Sequence, residues 1–223
     1  MQIDIVSDTV CPWCYIGKKR LEQAMAMCAG EDFAVAWHPF QLNPDIAPGG
    51  VDYRTHMETK FGNRIEAMVR RLTDAGRAAN IDFAFERITR TPNTVDSHRL
   101  IRWAGGAGVQ DDVVEALFQR YFLEGADIGA HDVLLDIAWK AGMDPEIVGD
   151  LLDQDADVEH IREDDAYARQ MGVSGVPCFI VDQRFVITGA QDPAVFVQLF
   201  ERIAADPGDE PEDAAETASS PDA

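Results

Sequence analysis

Apolar and polar residues alternate at the start of the chain, in Ile3-Asp4-Ile5-Val6, and the run stops at Ser7-Asp8-Thr9. That pattern predicts a strand running into a turn. Tyr15 to Met25 reads as a helix. Phe33 to Phe40 alternates in part and predicts a second strand, after which Pro39, Pro44, Pro48 and Gly49-Gly50 break the pattern. From about Asp52 to Tyr167 the spacing is mainly helical. Helices are expected over Tyr53–Ala79, over Val95–Gly105 with Asn93 or Thr94 as N-cap, and over Asp111–Phe122 with Val114, Leu117, Phe118 and Tyr121 on one face. His131–Ala141 follows, stopped by Gly142. Asp144-Pro145-Glu146 opens a further helix, and His160–Met171 ends at Gly172. The period then changes. Gly175 to Val181 reads as a turn into a strand, Asp182-Gln183 as a hairpin turn, Arg184 to Ile187 as the returning strand, and Asp192-Pro193 as the start of a last helix, Ala194–Ala204.

The order is therefore β-α-β, a long helical block, then β-β-α. This is an α/β chain in which residues 51–167 form an inserted α-helical domain between the two halves of a discontinuous domain, 1–50 and 168–205. Residues 206–223 are acidic, rich in small residues and proline, and free of aromatics, which predicts a disordered tail.

Composition narrows the partners. The chain has 223 residues, 46% of them hydrophobic, enough for one large domain or a domain with an insertion. Acidic residues outnumber basic ones 40 to 19, a formal charge of −21. Such a surface repels nucleic acid, whose binding needs cations. No stretch approaches the roughly 18 apolar residues of a membrane span. Met1 runs almost directly into a strand, with no basic start and apolar leader, so a cytoplasmic protein is expected.

The chemistry is concentrated at Cys11-Pro12-Trp13-Cys14, between the first strand and the first helix. A helix N-terminus has unpaired backbone N–H groups and partial positive charge, which stabilises a thiolate at Cys11. Pro12 suits the first helical turn because its missing N–H has no partner there. Zinc wants about four ligands. Cys28 and Cys178 are the only other cysteines and there is no second Cys-x-x-Cys, so zinc is disfavoured. So short a disulfide loop adds little stability, which leaves redox exchange as the favoured chemistry. Val176-Pro177 opens a strand where a proline loses a ladder hydrogen bond, and so marks a special position.

Ser7-Asp8 before Cys11-Pro12-Trp13-Cys14-Tyr15-Ile16-Gly17, Trp37 to Pro44, Asn93-Thr94 with His98-Arg99-Leu100, and Gly172-Val173-x-Gly175-Val176-Pro177-x-Phe179 together resemble the DsbA-like thioredoxin-fold family, and within it the FrnE-like cytoplasmic branch. The resemblance spans roughly residues 1–205. It implies a thioredoxin-like fold with a large helical insertion, and thiol–disulfide exchange in which Cys11 attacks and Cys14 resolves. It also implies a cis-proline at Pro177 beside the dithiol, with the Val176 backbone free to pair with an extended substrate. Pro12 and Trp13 complete the site, Trp13 stacking on a substrate or covering the sulfurs. His98 lies on a segment that in relatives faces the groove, where it is either a substrate or proton-transfer contact or a surface histidine. Cys178 replaces a common threonine, and either fills the interior or lies near Cys11. Cys28 falls on the face of Leu21, Ala24 and Met25 and is expected in the core.

No cofactor is implied beyond the cysteine pair, with glutathione as a candidate co-substrate. Partners are a disulfide-containing protein or a small-molecule thiol, not nucleic acid or membrane, and the oligomeric state is open, a dimer included. The rival reading is a glutathione-dependent isomerase or transferase of the kappa-class or 2-hydroxychromene-2-carboxylate isomerase type. Those enzymes generally carry serine in place of Cys11 and lack the second cysteine.

Overall fold

The apolar residues of the first strand find two partners far apart in the chain. In the computed structural model, which describes residues 1–205, the elements run β1 (Gln2–Ser7), α1 (Pro12–Met27), β2 (Ala34–Pro39), β3 (Val51–Asp52), α2 (Tyr53–Phe61), α3 (Ile65–Ala78), β4 (Arg90–Thr91), α4 (Val95–Ala107), α5 (Gln110–Phe122), α6 (His131–Lys140), α7 (Pro145–Asp153), α8 (Val158–Gln170), β5 (Cys178–Val181), β6 (Phe185–Thr188) and α9 (Pro193–Ala205). The expected disordered tail, 206–223, lies outside the described residues.

One four-stranded sheet has the order β2-β1-β5-β6. β1 runs parallel to β2 and antiparallel to β5, and β6 returns antiparallel to β5. Register puts Ile5 opposite Phe179, and Ile3 opposite Val181, so these four buried residues share one face. Phe179 meets Phe196 of α9 edge to face, 4.9 Å between ring centroids. On the other face Val6 and Cys178 pack with Phe40 and with Ala168 of α8. The β5–β6 turn places both Asp182 and Gln183 at positive φ, 48° and 55°, which matches the right-handed twist of its strands.

The link between β2 and β5 is helical, as the periodicity predicts, with two differences. The single helix expected over Tyr53–Ala79 is two, α2 and α3. Gly62 ends α2 at φ 55°, ψ −129°, a conformation that suits only glycine, and a 3₁₀ turn, Gly62–Arg64, restarts the chain. β3 and β4 form a two-residue antiparallel ladder inside the helical block, too short for any periodicity to reveal. The expected boundary at 167/168 falls within α8, which packs on both β2 and α4.

One buried cation ties α1 to α5. Lys18 is almost wholly buried, and its Nζ reaches Glu22, Asp111 (2.9 Å) and Glu115 (3.2 Å). Burial works against its charge, but Asp111 and Glu22 overcome that and raise its pKa. Glu115 is the mirror case: burial raises its pKa, but Lys19 and Lys18 pull it below the usual range. A carboxylate so lowered stabilises the fold above its unfolded value, about pH 4.3, and that contribution is lost as pH falls through the lower folded value. Lys18→Met is expected to cost about 2 kcal/mol at pH 7. That is below the 3–5 kcal/mol of a fully buried pair, because Glu22 and Asp111 keep access to water. Urea unfolding at pH 7 and pH 3 checks this. The cost shrinks at pH 3, where the acids protonate, and an equal cost at both would point to packing alone.

Candidate active site

The turn after β1 sets the position of the first cysteine. Cys11 N–H donates to Asp8 O at 3.0 Å, and Cys11 then caps α1 with extended backbone, φ −95°, ψ 109°. Pro12 occupies the first helical position and Cys14 N–H donates to Cys11 O at 3.0 Å, so the second thiol lies one turn inward. All four cysteines are free thiols. Cys11 is 4% exposed and Cys14 1%. Burial, followed by the adjacent Cys11 sulfur, pushes the Cys14 thiol well above its ordinary range, while the Ser7 hydroxyl and the Asp8 backbone partly offset this. Cys14 is thereby held as a neutral thiol behind Cys11.

The loop before β5 closes the other side. The Val176–Pro177 peptide bond is cis. Cys11 Sγ donates to Val176 O at 3.7 Å. α1 approaches this strand closely because residue 17 is glycine: a Cβ there would lie 2.9 Å from Pro177 Cγ and 3.0 Å from Phe179 Cζ. Cys11, Pro12, Trp13 and Val176 all border one cavity of about 280 Å3. Its remaining walls are mostly apolar and come from α2, α3 and the end of α5, with Leu42 and Asn43 after β2 and with Phe85 and Thr91. Trp13 is half-buried, and the Arg71 guanidinium lies 5.2 Å from its ring centroid.

Comparison with known proteins decides the family. A model of the DSBA-like thioredoxin domain matches residues 2–201. The chain belongs to this family. It is 27% identical over 200 residues to the uncharacterized protein YwbO of Bacillus subtilis (strain 168), covering 88% of this chain and 94% of that one. Among solved structures it resembles a probable DsbA oxidoreductase of Streptomyces coelicolor, with TM-score 0.86 and 28% identity over 98% of this chain and 96% of that one. A 2-hydroxychromene-2-carboxylate isomerase shares the fold at TM-score 0.71 and 16% identity (92% and 96% covered). So does the cytosolic disulfide reductase DsbM of Pseudomonas aeruginosa, solved with GSH, at TM-score 0.63 and 17% identity (92% and 100% covered). The α/β thioredoxin fold with a helical insertion is that of the DSBA-like family.

Within this DSBA-like chain the other candidate residues lie elsewhere. His98 is neither a groove contact nor a surface histidine. It is buried, its Nε2 is 3.4 Å from Asp8 Oδ1, and it does not line the cavity at Cys11. Asp8 is 0% exposed, and its other oxygen accepts the Leu42 N–H at 2.8 Å, which fixes the chain leaving β2. Neighbouring Arg99 is also structural: it is 1% exposed, bonds Asp96 at 2.7 Å and reaches Leu152 O near the end of α7. Cys178 is buried on the sheet face turned to Phe40 and Ala168, the filler arrangement. Cys28 is only half-buried at the end of α1, because that end of the helix faces partly outward. Sequence reasoning missed Tyr53, His56 and Lys60, which α2 brings to the cavity. Their spacing, Tyr53 to His56 to Lys60, puts them on one helix face and was the available signal.

Proposed function

We propose that this protein is a thiol–disulfide oxidoreductase of the FrnE-like cytoplasmic branch, working as a reductase or isomerase. The observation that carries the reading is the inequality of the two thiols. Cys11 lies at the N-terminus of α1 on a substrate-sized cavity, while Cys14 is sealed behind it as a neutral thiol. Cys11 thiolate attacks one sulfur of a substrate disulfide and expels the other as a thiolate, which leaves a mixed disulfide. Cys14 then loses its proton and attacks the Cys11 sulfur, releasing the second thiolate and closing a Cys11–Cys14 disulfide. Two equivalents of a monothiol, with glutathione as the candidate, return the two electrons: the first opens the Cys11–Cys14 disulfide to a mixed disulfide, and the second displaces it as the oxidised thiol dimer. The discontinuous unit carries the sulfurs and the insertion supplies the cavity wall. Pro12 and Trp13 line the cavity beside Cys11, and Val176, next to Pro177, lines it as well.

A reductase is the favoured direction because a reducing cytoplasm, near −220 to −320 mV, holds most such pairs as dithiols. The rival glutathione-dependent isomerase draws on the shared fold, but its chemistry has no use for Cys14. Reduction of insulin disulfides with dithiothreitol tests the choice. Turnover is expected from the wild type and is expected to fall to the uncatalysed rate in Cys11→Ser. Equal rates for the two would remove the general reductase and favour the isomerase.

A further inference from the structure

We infer that the cavity at Cys11 is built for a low-molecular-weight disulfide with a flat apolar body and a carboxylate, the carboxylate held by Lys60. This rests on the thiol–disulfide reading above and adds the substrate's chemistry.

Size comes first. About 280 Å3 suits one small-molecule body, near the low end for ligand pockets. The wall is apolar where the insertion supplies it, through Met57, Met68, Leu72, Phe85 and Phe122. Two methionines give a polarizable lining that adapts to an aromatic ring. Polar groups interrupt it at Tyr53, His56 and Lys60 of α2 and at Thr91, whose Oγ1 approaches the Tyr121 hydroxyl and is buried without a hydrogen-bond partner of normal geometry. Tyr121 spends its own proton on Arg90 O at 3.3 Å. The Tyr121 oxygen is thereby left as an acceptor facing the Thr91 hydroxyl.

Charge gives the sign. Acids outnumber bases about two to one in this chain, and its other lysines are all paired with carboxylates: Lys18 and Lys19 with Glu22 and Glu115, Lys140 with Asp136. Lys60 is the exception. Among the described residues no carboxylate lies within 4 Å of it, and its Nζ donates instead to the neutral Asn43 Oδ1 at 2.6 Å. Both residues line the cavity. Arg71, over Trp13, has no carboxylate partner among the described residues either. His56 stays uncharged: burial, with Lys60 beside it, moves its pKa down, leaving a neutral ring that can donate a hydrogen bond. A strongly acidic protein thus leaves Lys60, on the wall of the cavity that Cys11 borders, without a carboxylate partner among the described residues, the arrangement an anionic ligand recognises.

The exchange balances without any further reactant. Cys11–S⁻ and R–S–S–R give Cys11–S–S–R and R–S⁻. Cys14, after losing its proton to solvent, displaces the second R–S⁻. Two electrons pass from the dithiol to the substrate.

The test is stopped-flow mixing of the pre-reduced full chain with two chromogenic aromatic disulfides, dithiobis(nitrobenzoate), which carries carboxylates, and dithiodipyridine, which does not. Rates are set against those of a free thiol, and Cys11→Ala subtracts the other cysteines. The expected result is saturation with dithiobis(nitrobenzoate). Lys60→Gln is expected to weaken its half-saturation about fivefold more than that of dithiodipyridine, with the limiting rate kept. Lys60 is exposed, so the variant folds. Met68→Trp, which fills the cavity, is expected to weaken both. Equal effects of Lys60→Gln on both probes, or no saturation, would overturn the carboxylate site while leaving the dithiol chemistry intact. Insulin showing the same saturation and Lys60 dependence would replace the small molecule with a polypeptide. If Cys11 releases no chromophore from either probe, the thiol–disulfide reading itself falls.

Discussion

Cys14→Ser is expected to stop turnover, by about a thousandfold or more, while leaving the protein covalently joined to its substrate through Cys11. The attacking sulfur, its helix N-terminus and the cavity are untouched by this change, so the first half of the exchange still runs. One thiolate is released per protein instead of two, and mass spectrometry finds the mixed disulfide. In the wild type the second release carries a pH signature. Burial is the largest cause of the raised Cys14 pKa, and burial persists when Cys11 is in a mixed disulfide, whereas the repulsion from a Cys11 thiolate does not. A group whose pKa lies above the working pH gains thiolate tenfold per unit, so the second release should quicken about tenfold per pH unit from about pH 6 to pH 8. A flat second phase over that range would mean that Cys14 is not the resolving thiol as placed here.

The parts of this site that were legible in the sequence are those made locally. Cys11 to Cys14 lie between a strand and a helix start, and the hairpin after Pro177 is a short run with a two-residue turn, so pattern alone places both ends. The cavity was not legible, because Tyr53, Met68 and Phe122 come from three helices whose packing no local period encodes. The break between α2 and α3 rests on one glycine at positive φ within otherwise continuous helical spacing. His98 shows the limit most plainly. Its place on a segment that faces the groove in relatives suggested a groove contact, but its partner, the wholly buried Asp8, is ninety positions earlier, and only the fold brings the two within 3.4 Å. The same holds for Lys18, whose partners Asp111 and Glu115 come from α5, more than ninety positions later.

Gly17→Ala is expected to destabilise the protein by about 1 kcal/mol and Gly17→Val by about 3 kcal/mol, against the usual trend of helix propensity. Alanine in a helix interior normally gains up to about 1 kcal/mol over glycine. At residue 17 the added methyl meets Pro177 Cγ at 2.9 Å and Phe179 Cζ at 3.0 Å. Neither can yield easily: proline is a ring, and Phe179 is fully buried against Phe196. Overpacking of this kind costs about 1–3 kcal/mol, more than the propensity gain. Gly106 supplies the control. It lies in α4 with nothing within 4 Å of a Cβ, so Gly106→Ala should stabilise by up to about 1 kcal/mol. Urea midpoints for the three variants separate the cases, and a Gly17→Ala protein as stable as Gly106→Ala would show that the helix does not press on the Pro177 strand. The effect reaches the chemistry because the loop that leads into the same strand presents Val176 O to Cys11 Sγ. Relief of the clash moves Pro177 away from α1, so Gly17→Val should slow attack by Cys11 even at temperatures where the variant remains folded. A core substitution with no bearing on the sulfurs would lower the urea midpoint and leave that rate unchanged.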